Sequence, residues 1–125
     1  MRWAWAVFLL PVPGLADPAL ECSGAGSQVE IGACVGQAEA NVAAAMTEAL
    51  GFAADAARDL DDVTGRALAL PALEASQEAW KAYRDAQCEA VGASYGGGSG
   101  TGIAVSSCRV ELGRARVAEL LRFVN

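Results

Sequence analysis

The chain has 125 residues, of which nine are basic and fifteen acidic, and it contains no histidine; its net charge is −6 at pH 7. This length supports one domain with a modest core, and the acidic balance argues against a nucleic acid or an anionic membrane as partner. Without histidine the chain lacks the commonest catalytic base, and no serine lies in a nucleophile-elbow motif. The composition therefore favours a binding protein over an enzyme, and it predicts no cofactor and no metal.

The first sixteen residues have the pattern of a secretory signal peptide. Arg2 precedes an apolar run over residues 3–10, and the cleavage pattern Gly14-Leu15-Ala16 follows before Asp17. The run is too short to span a bilayer comfortably. We therefore expect residues 1–16 to be a signal peptide and residues 17–125 to be one exported domain, periplasmic or secreted, with a net charge of −7 and no membrane attachment.

All four cysteines, Cys22, Cys34, Cys88 and Cys108, lie in the expected mature part. An even number of cysteines in an exported chain predicts disulfides. Three pairings are possible, and we favour the sequence-local one, in which Cys22 pairs with Cys34 and Cys88 with Cys108. Zinc is disfavoured because neither spacing has the CxxC form.

The first predicted helix begins at a capping box, Ser27 to Glu30, after an extended arm over residues 17–26 that Cys22 tethers. It continues to about Arg58, and residues 59–65 form a turn. Its apolar positions recur at three- and four-residue steps; they are Ile31, Cys34, Ala38, Val42, Ala45, Ala49, Ala56 and Leu60.

The second predicted helix has Pro71 in its first turn and runs to about Val91. One stripe of this helix faces the core; it contains Leu73, Gln77, Trp80, Arg84, Cys88 and Val91. We expect Trp80 to be its principal buried side chain. A guanidinium placed against a core needs an acceptor, so we expect Arg84 to pair with Glu30 or, as second choice, with Glu119.

A glycine-rich segment over residues 92–102 contains no charged residue and predicts a flexible loop. It lacks the lysine and the preceding strand of a phosphate-binding loop. Thr101 is the expected cap of a third helix, whose apolar face contains Val105, Cys108, Leu112, Leu120 and Phe123. Arg109, Arg114 and Arg122 are expected to be solvated. The fold class is therefore all-α: a small three-helix bundle with two disulfides and a glycine-rich loop before the last helix.

The pattern Gln77-x-x-Trp80-x-x-x-Arg84-x-x-x-Cys88 is followed by the glycine-rich loop after Tyr95, then by Cys108 and Arg116-x-x-x-Leu120. This order and spacing resemble the lysozyme inhibitor LprI-like N-terminal domain family. The resemblance also includes Cys22, Gln28, Glu30 and Cys34, so it covers nearly all of the expected mature chain. It implies a small, exported, helical and disulfide-bonded protein in which Glu30, Gln77, Trp80, Arg84 and Arg116 are motif residues with structural roles.

The resemblance also implies a protein-binding module that inhibits lysozyme and protects peptidoglycan. An acidic exported domain suits a cationic partner of this kind. The alternative is an envelope interaction or structural domain with another partner. If lysozyme is bound, the loop is the plausible protrusion for the contact, and the residues that we expect there are Tyr95, Gly96, Gly97, Gly98 and Ser99.

Overall fold

The computed structural model describes residues 17–124, so the predicted signal peptide lies outside the described residues. The described chain forms four helices and no strand: α1 (Pro18–Glu21), α2 (Gln28–Thr64), α3 (Ala69–Ala93) and α4 (Thr101–Leu121). The three long helices form the predicted all-α bundle. Both disulfides have the sequence-local pairing, Cys22 with Cys34 and Cys88 with Cys108.

The helices α2 and α4 run in the same direction, and α3 runs opposite to both. A Cβ atom added to Gly113 would lie only 2.9 Å from Cγ2 of Val42, and Gly32 lies near Ile103 at the other end of the pair. Gly113 therefore permits a close approach of α2 and α4 that any larger residue would obstruct. Glycine inside a helix is unfavourable by helix propensity, and this close contact is the packing reason for Gly113 in α4.

The core is small and is built from alanine, valine, leucine and disulfide-bonded cysteine. Ala49 and Ala53 of α2, Leu73 of α3 and Leu120 of α4 form one buried cluster. Alanine lets the helices approach closely, while the two leucines fill the remaining space; truncation of such a leucine to alanine typically costs about 2 to 5 kcal/mol. The cluster joins all three long helices.

The capping box is confirmed. The Ser27 hydroxyl accepts a hydrogen bond from the Glu30 N–H at 3.2 Å, and the Glu30 carboxylate accepts one from the Gly26 N–H at 2.7 Å. The expected extended arm, however, contains the single helical turn α1, which Asp17 caps by accepting from the Ala19 N–H. Pro18 and Cys22 are buried, so α1 is packed against the bundle and not only tethered by its disulfide.

The predicted turn after Arg58 was wrong, because α2 continues to Thr64 and ends at Gly65 in the left-handed conformation. Asp61 belongs to this last part of α2. Its carboxylate accepts hydrogen bonds from the N–H groups of Leu68, Ala69 and Leu70 at 2.8 to 3.2 Å, and so it caps the start of α3. These backbone hydrogen bonds lower the pKa of Asp61 below its ordinary value.

The glycine-rich loop is shorter than predicted and extends over residues 94–100. Gly92 is buried in α3, where an added Cβ would lie 2.7 Å from Cγ2 of Val105. The expected cap of the last helix is also corrected: Gly100 is the N-cap, while the Thr101 hydroxyl donates to the Gly98 carbonyl at 2.7 Å. Gly92 thus serves helix packing and not loop flexibility.

Candidate functional site

The buried guanidinium of the motif belongs to Arg116, not to Arg84. Arg116 is 7% exposed and joins α4 to α3. Its Nε donates to Oε1 of Gln77 at 3.0 Å, its Nη2 to the Ser76 hydroxyl at 2.9 Å, and its Nη1 to Glu119 at 3.1 Å. Since Gln77 is also buried, this polar cluster connects α3 to α4 inside the bundle.

The predicted pairing of Arg84 with Glu30 or Glu119 was wrong. Arg84 Nε donates to Asp85, its neighbour on α3, at 2.9 Å, and the guanidinium lies 5.2 Å from the centre of the Trp80 ring. Trp80 is half-buried, so the expectation that it is the principal buried side chain was wrong too. The rotation of α3 places Arg84 at the edge of the core, where its charge keeps contact with water and a stacked aromatic ring.

Arg114 is a further correction, because it is not an ordinary solvated charge. Its two terminal nitrogens donate to the two carboxylate oxygens of Glu21 at 2.8 and 3.0 Å. This bidentate pair connects α4 to α1 and lowers the pKa of Glu21. An ion pair as well as the Cys22–Cys34 disulfide therefore holds α1 against the bundle.

The loop residues proposed for partner contact lie together at the surface. Tyr95 is 54% exposed, and its ring lies close to Gly100 at the other end of the loop. Gly96 and Gly97 have positive φ angles of 62° and 84°, which side-chain-bearing residues rarely adopt. Backbone hydrogen bonds close successive turns, among them Gly98 N–H to the Tyr95 carbonyl at 3.2 Å. The loop is a compact series of turns and not an open strap.

A cleft of about 470 Å³ lies beside this loop, between α1, the start of α2, the end of α3 and the start of α4. Asp17 and Glu111 line it, and Asp17 also accepts a hydrogen bond from the Ser107 hydroxyl at 2.8 Å. The pKa of Glu111 is raised, chiefly because of its partial burial and secondarily because of the neighbouring Asp17 carboxylate. The carboxyl groups of Asp17 and Glu111 thus line the same cleft as Tyr95.

An acidic face runs along α2. At about 100° per residue its carboxylates fall within about 60° of one another, and at 1.5 Å per residue they extend over about 48 Å. All are exposed; they are Glu30, Glu48, Asp55, Asp59 and Asp62. Arg58 pairs with Asp55 at 2.9 Å and belongs to the same helix. This face gives the molecule a long surface of negative potential.

Taken together, the fold and these surfaces define a small, disulfide-bonded helical protein with an acidic face and a loop-flanked cleft. In the described part of the chain, no three histidine, cysteine or carboxylate side chains come together as metal ligands. None of the four described helices combines the length and apolar character that a membrane crossing needs.

Residues 21–120 match the family described as lysozyme inhibitor LprI. The match covers most of the sequence, and the chain belongs to this family. An uncharacterized protein of Rhizobium meliloti (strain 1021) is 39% identical over 111 residues, which cover 83% of this chain and 78% of the relative. No solved structure matches the chain. The family is described by inhibition and not by a catalysed reaction.

Proposed function

We propose that this protein is an exported binding module that inhibits lysozyme and thereby protects peptidoglycan. The observation that carries the proposal is the family match over residues 21–120. Two disulfides fit an oxidising compartment outside the cytoplasm. Removal of residues 1–16 as a signal peptide would deliver the helical domain to the periplasm or the medium.

The acidic face supplies the long-range part of the mechanism. Lysozyme is a cationic protein, and an extended negative surface accelerates its diffusional encounter with an inhibitor. Exposed carboxylates contribute more to the rate of association than to the final affinity, because water and salt screen them. The acidic face therefore brings the two proteins together without itself blocking the enzyme.

The loop supplies the short-range contact. Tyr95 offers an amphipathic aromatic anchor, and the glycines let the backbone of the loop approach a narrow carboxylate-lined cleft. Ordering a free chain costs about 1 to 2 kcal/mol per residue. The turns of residues 94–100 are already closed by backbone hydrogen bonds, so this cost is largely met in the free protein.

The proposal is tested by inhibition of several lysozyme classes, measured as clearing of a cell-wall suspension, together with binding calorimetry. At least one class is expected to bind and to be inhibited by the disulfide-bonded protein. Absence of both binding and inhibition across the classes would favour the alternative, an envelope interaction domain with another partner. Binding without inhibition would also contradict the proposal.

Two matched pairs of substitutions test the acidic face. Glu48→Gln with Asp62→Asn removes two charges from it, and Glu74→Gln with Glu89→Gln removes the same number from α3. The first pair should lower the association rate constant severalfold at low salt, and the second should lower it less. Equal effects of the two pairs would mean that net charge, and not the acidic face, steers the encounter.

Shortening the loop over residues 96–100 tests the short-range contact. It should abolish inhibition while the association rate constant is retained.

A further inference from the structure

The cleft beside the loop has a lining whose chemistry is more specific than that of the acidic face. Its walls are apolar and are formed by Ile31, Val91, Ile103 and Leu112. Its polar residues include two with carboxyl groups; they are Asp17, Glu111, Gln28, Gln87, Tyr95 and Ser107. The described lining contains no lysine and no arginine.

A defined contact places Asp17 against the face of α4 that also carries Glu111. Asp17 Oδ1 caps α1 by accepting from the Ala19 N–H at 2.9 Å and also accepts from the Ser107 hydroxyl at 2.8 Å. Glu111 follows Ser107 by one turn of α4 and so lies on the same face of that helix. Arg114 attracts the Glu111 carboxyl group, but burial and Asp17 outweigh that attraction. The cleft therefore contains two carboxyl groups, and none of its lining residues is a cation that could pair with them.

We propose that this cleft binds one lysine or arginine side chain of the partner protein. The apolar walls suit the methylene stem of such a side chain, and the carboxyl groups at Asp17 and Glu111 suit its charged end. Tyr95 also lines the cleft and supplies an aromatic ring for contact with the same cation. The proposal deepens the lysozyme-inhibitor function and rests on it for the identity of the partner, whereas the ligand class follows from the lining.

The ligand class is tested without lysozyme. Acetyl-arginine-N-methylamide is titrated into the disulfide-bonded protein while backbone amide shifts are followed by NMR, and the acetyl-citrulline analogue serves as the neutral, isosteric control. Shifts centred on Tyr95, Ser107 and Glu111 are expected with arginine and not with citrulline. Equal binding of the two probes, or shifts centred outside the cleft, would overturn the proposal.

The role of Glu111 is tested with a matched pair of variants. Glu111→Gln should weaken arginine binding about tenfold, which corresponds to the loss of one charge-assisted hydrogen bond. Glu89→Gln changes the charge equally at an exposed position of α3 and should leave binding unchanged. An undiminished affinity in Glu111→Gln, in a variant whose amide spectrum shows the native fold, would contradict the proposal.

The protein's own amino terminus is the competing occupant. If export cleaves the chain after Ala16, the new α-ammonium group belongs to Asp17, which lies in the cleft. The titration is therefore repeated with protein that is acetylated at Asp17. Binding of the arginine probe to both forms is expected, and binding only to the acetylated form would mean that the cleft is filled from within and would overturn the proposal.

Lysozyme inhibition distinguishes failure of the cleft proposal from failure of the proposed function. Glu111→Gln should raise the Kd for lysozyme about tenfold. If the arginine probe binds in the cleft but no lysozyme is inhibited, the proposed function fails and the ligand class stands. If lysozyme is inhibited equally well by Glu111→Gln, the cleft proposal fails and the proposed function stands.

Discussion

The two ends of the bundle are held together by different means. The cysteine end contains α1, the start of α2, the end of α3 and the start of α4, and both disulfides lie in that half. The hairpin end contains the turn between α2 and α3 and the end of α4. It has no disulfide, and it depends on the Arg116 cluster, the Asp61 cap and the small core around Leu120.

The difference extends to the concave surfaces of the two ends. Both ends expose large apolar side chains, which are Leu20 and Val29 at the cysteine end and Leu60, Val63, Leu68, Leu121 and Phe123 at the hairpin end. Phe123 was expected in the core but instead lies at the edge of an apolar cavity of about 330 Å³. The cysteine end carries the polar cleft and the loop. Cross-links thus stabilise the end that is proposed to bind a partner, while packing and hydrogen bonds alone stabilise the other.

The largest effect is expected from the cysteine end. Replacing Cys88 and Cys108 together by alanine removes the cross-link across a 20-residue separation, which the chain-entropy account values at about 3 kcal/mol. Unfolding by urea measures the change, and hydrogen exchange shows where it acts. Protection should fall first at the loop and the start of α4. A uniform loss of protection would mean that the two ends are not separate units of stability.

A somewhat smaller effect is expected from the hairpin end. Gln77→Leu removes the buried acceptor of the Arg116 Nε–H, and a hydrogen bond to a charged group contributes about 1.5 to 3 kcal/mol. Glu119→Gln is the control, because the Glu119 side chain is 50% exposed and an exposed pair contributes at most about 1 kcal/mol. Equal losses of unfolding free energy in the two variants would show that the buried acceptor stabilises the protein no more than the exposed one.

The Arg116 cluster also shows which structural features could not be predicted from the sequence. The capping box, the disulfide pairing and the three long helices could be predicted, because each depends on local spacing or chain order. Arg84 and Arg116 both lie on core-facing stripes, and a small rotation of each helix decides which one is buried. Asp61 was assigned to a turn because aspartate is common in turns, whereas its acceptors are used by residues seven to nine positions later in the chain.

The packing roles of the helix glycines also could not be predicted from the sequence. A Cβ atom added to Gly92 or Gly113 would lie less than 3 Å from a neighbouring valine, whereas one added to Gly51 would have no neighbour within 4 Å. Alanine at Gly92 or Gly113 should destabilise the protein by about 1 kcal/mol, because overpacking costs about 1 to 3 kcal/mol and the gain in helix propensity offsets part of it.

The same substitution at Gly51 should stabilise the protein by about 0.4 to 1 kcal/mol. Thermal unfolding of the three variants measures the contrast. Val42→Ala should restore part of the stability lost in Gly113→Ala, because it removes the methyl groups that the new Cβ meets. Stabilisation by alanine at all three positions would show that close helix approach is not required at Gly92 or Gly113.

The smallest effect, and the one most restricted to the hairpin end, concerns the Asp61 cap. Its pKa is lower in the folded protein than the value of about 3.9 usual for unfolded chains. The stability that it contributes is therefore present in full above the unfolded pKa and is lost as the pH falls through the folded pKa. Asp61→Asn should lower the urea midpoint at pH 7, and the difference between the urea midpoints of Asp61→Asn and the unmodified protein should shrink below about pH 4.

Asp62→Asn removes the same charge from the neighbouring exposed residue and is the control. Glu21 and Asp85, whose pKa values are also lowered, and Glu111, whose pKa is raised, remain in all variants and cancel in the difference. A difference between Asp61→Asn and the unmodified protein that stays constant down to low pH would show that the negative charge of Asp61 does not stabilise the start of α3.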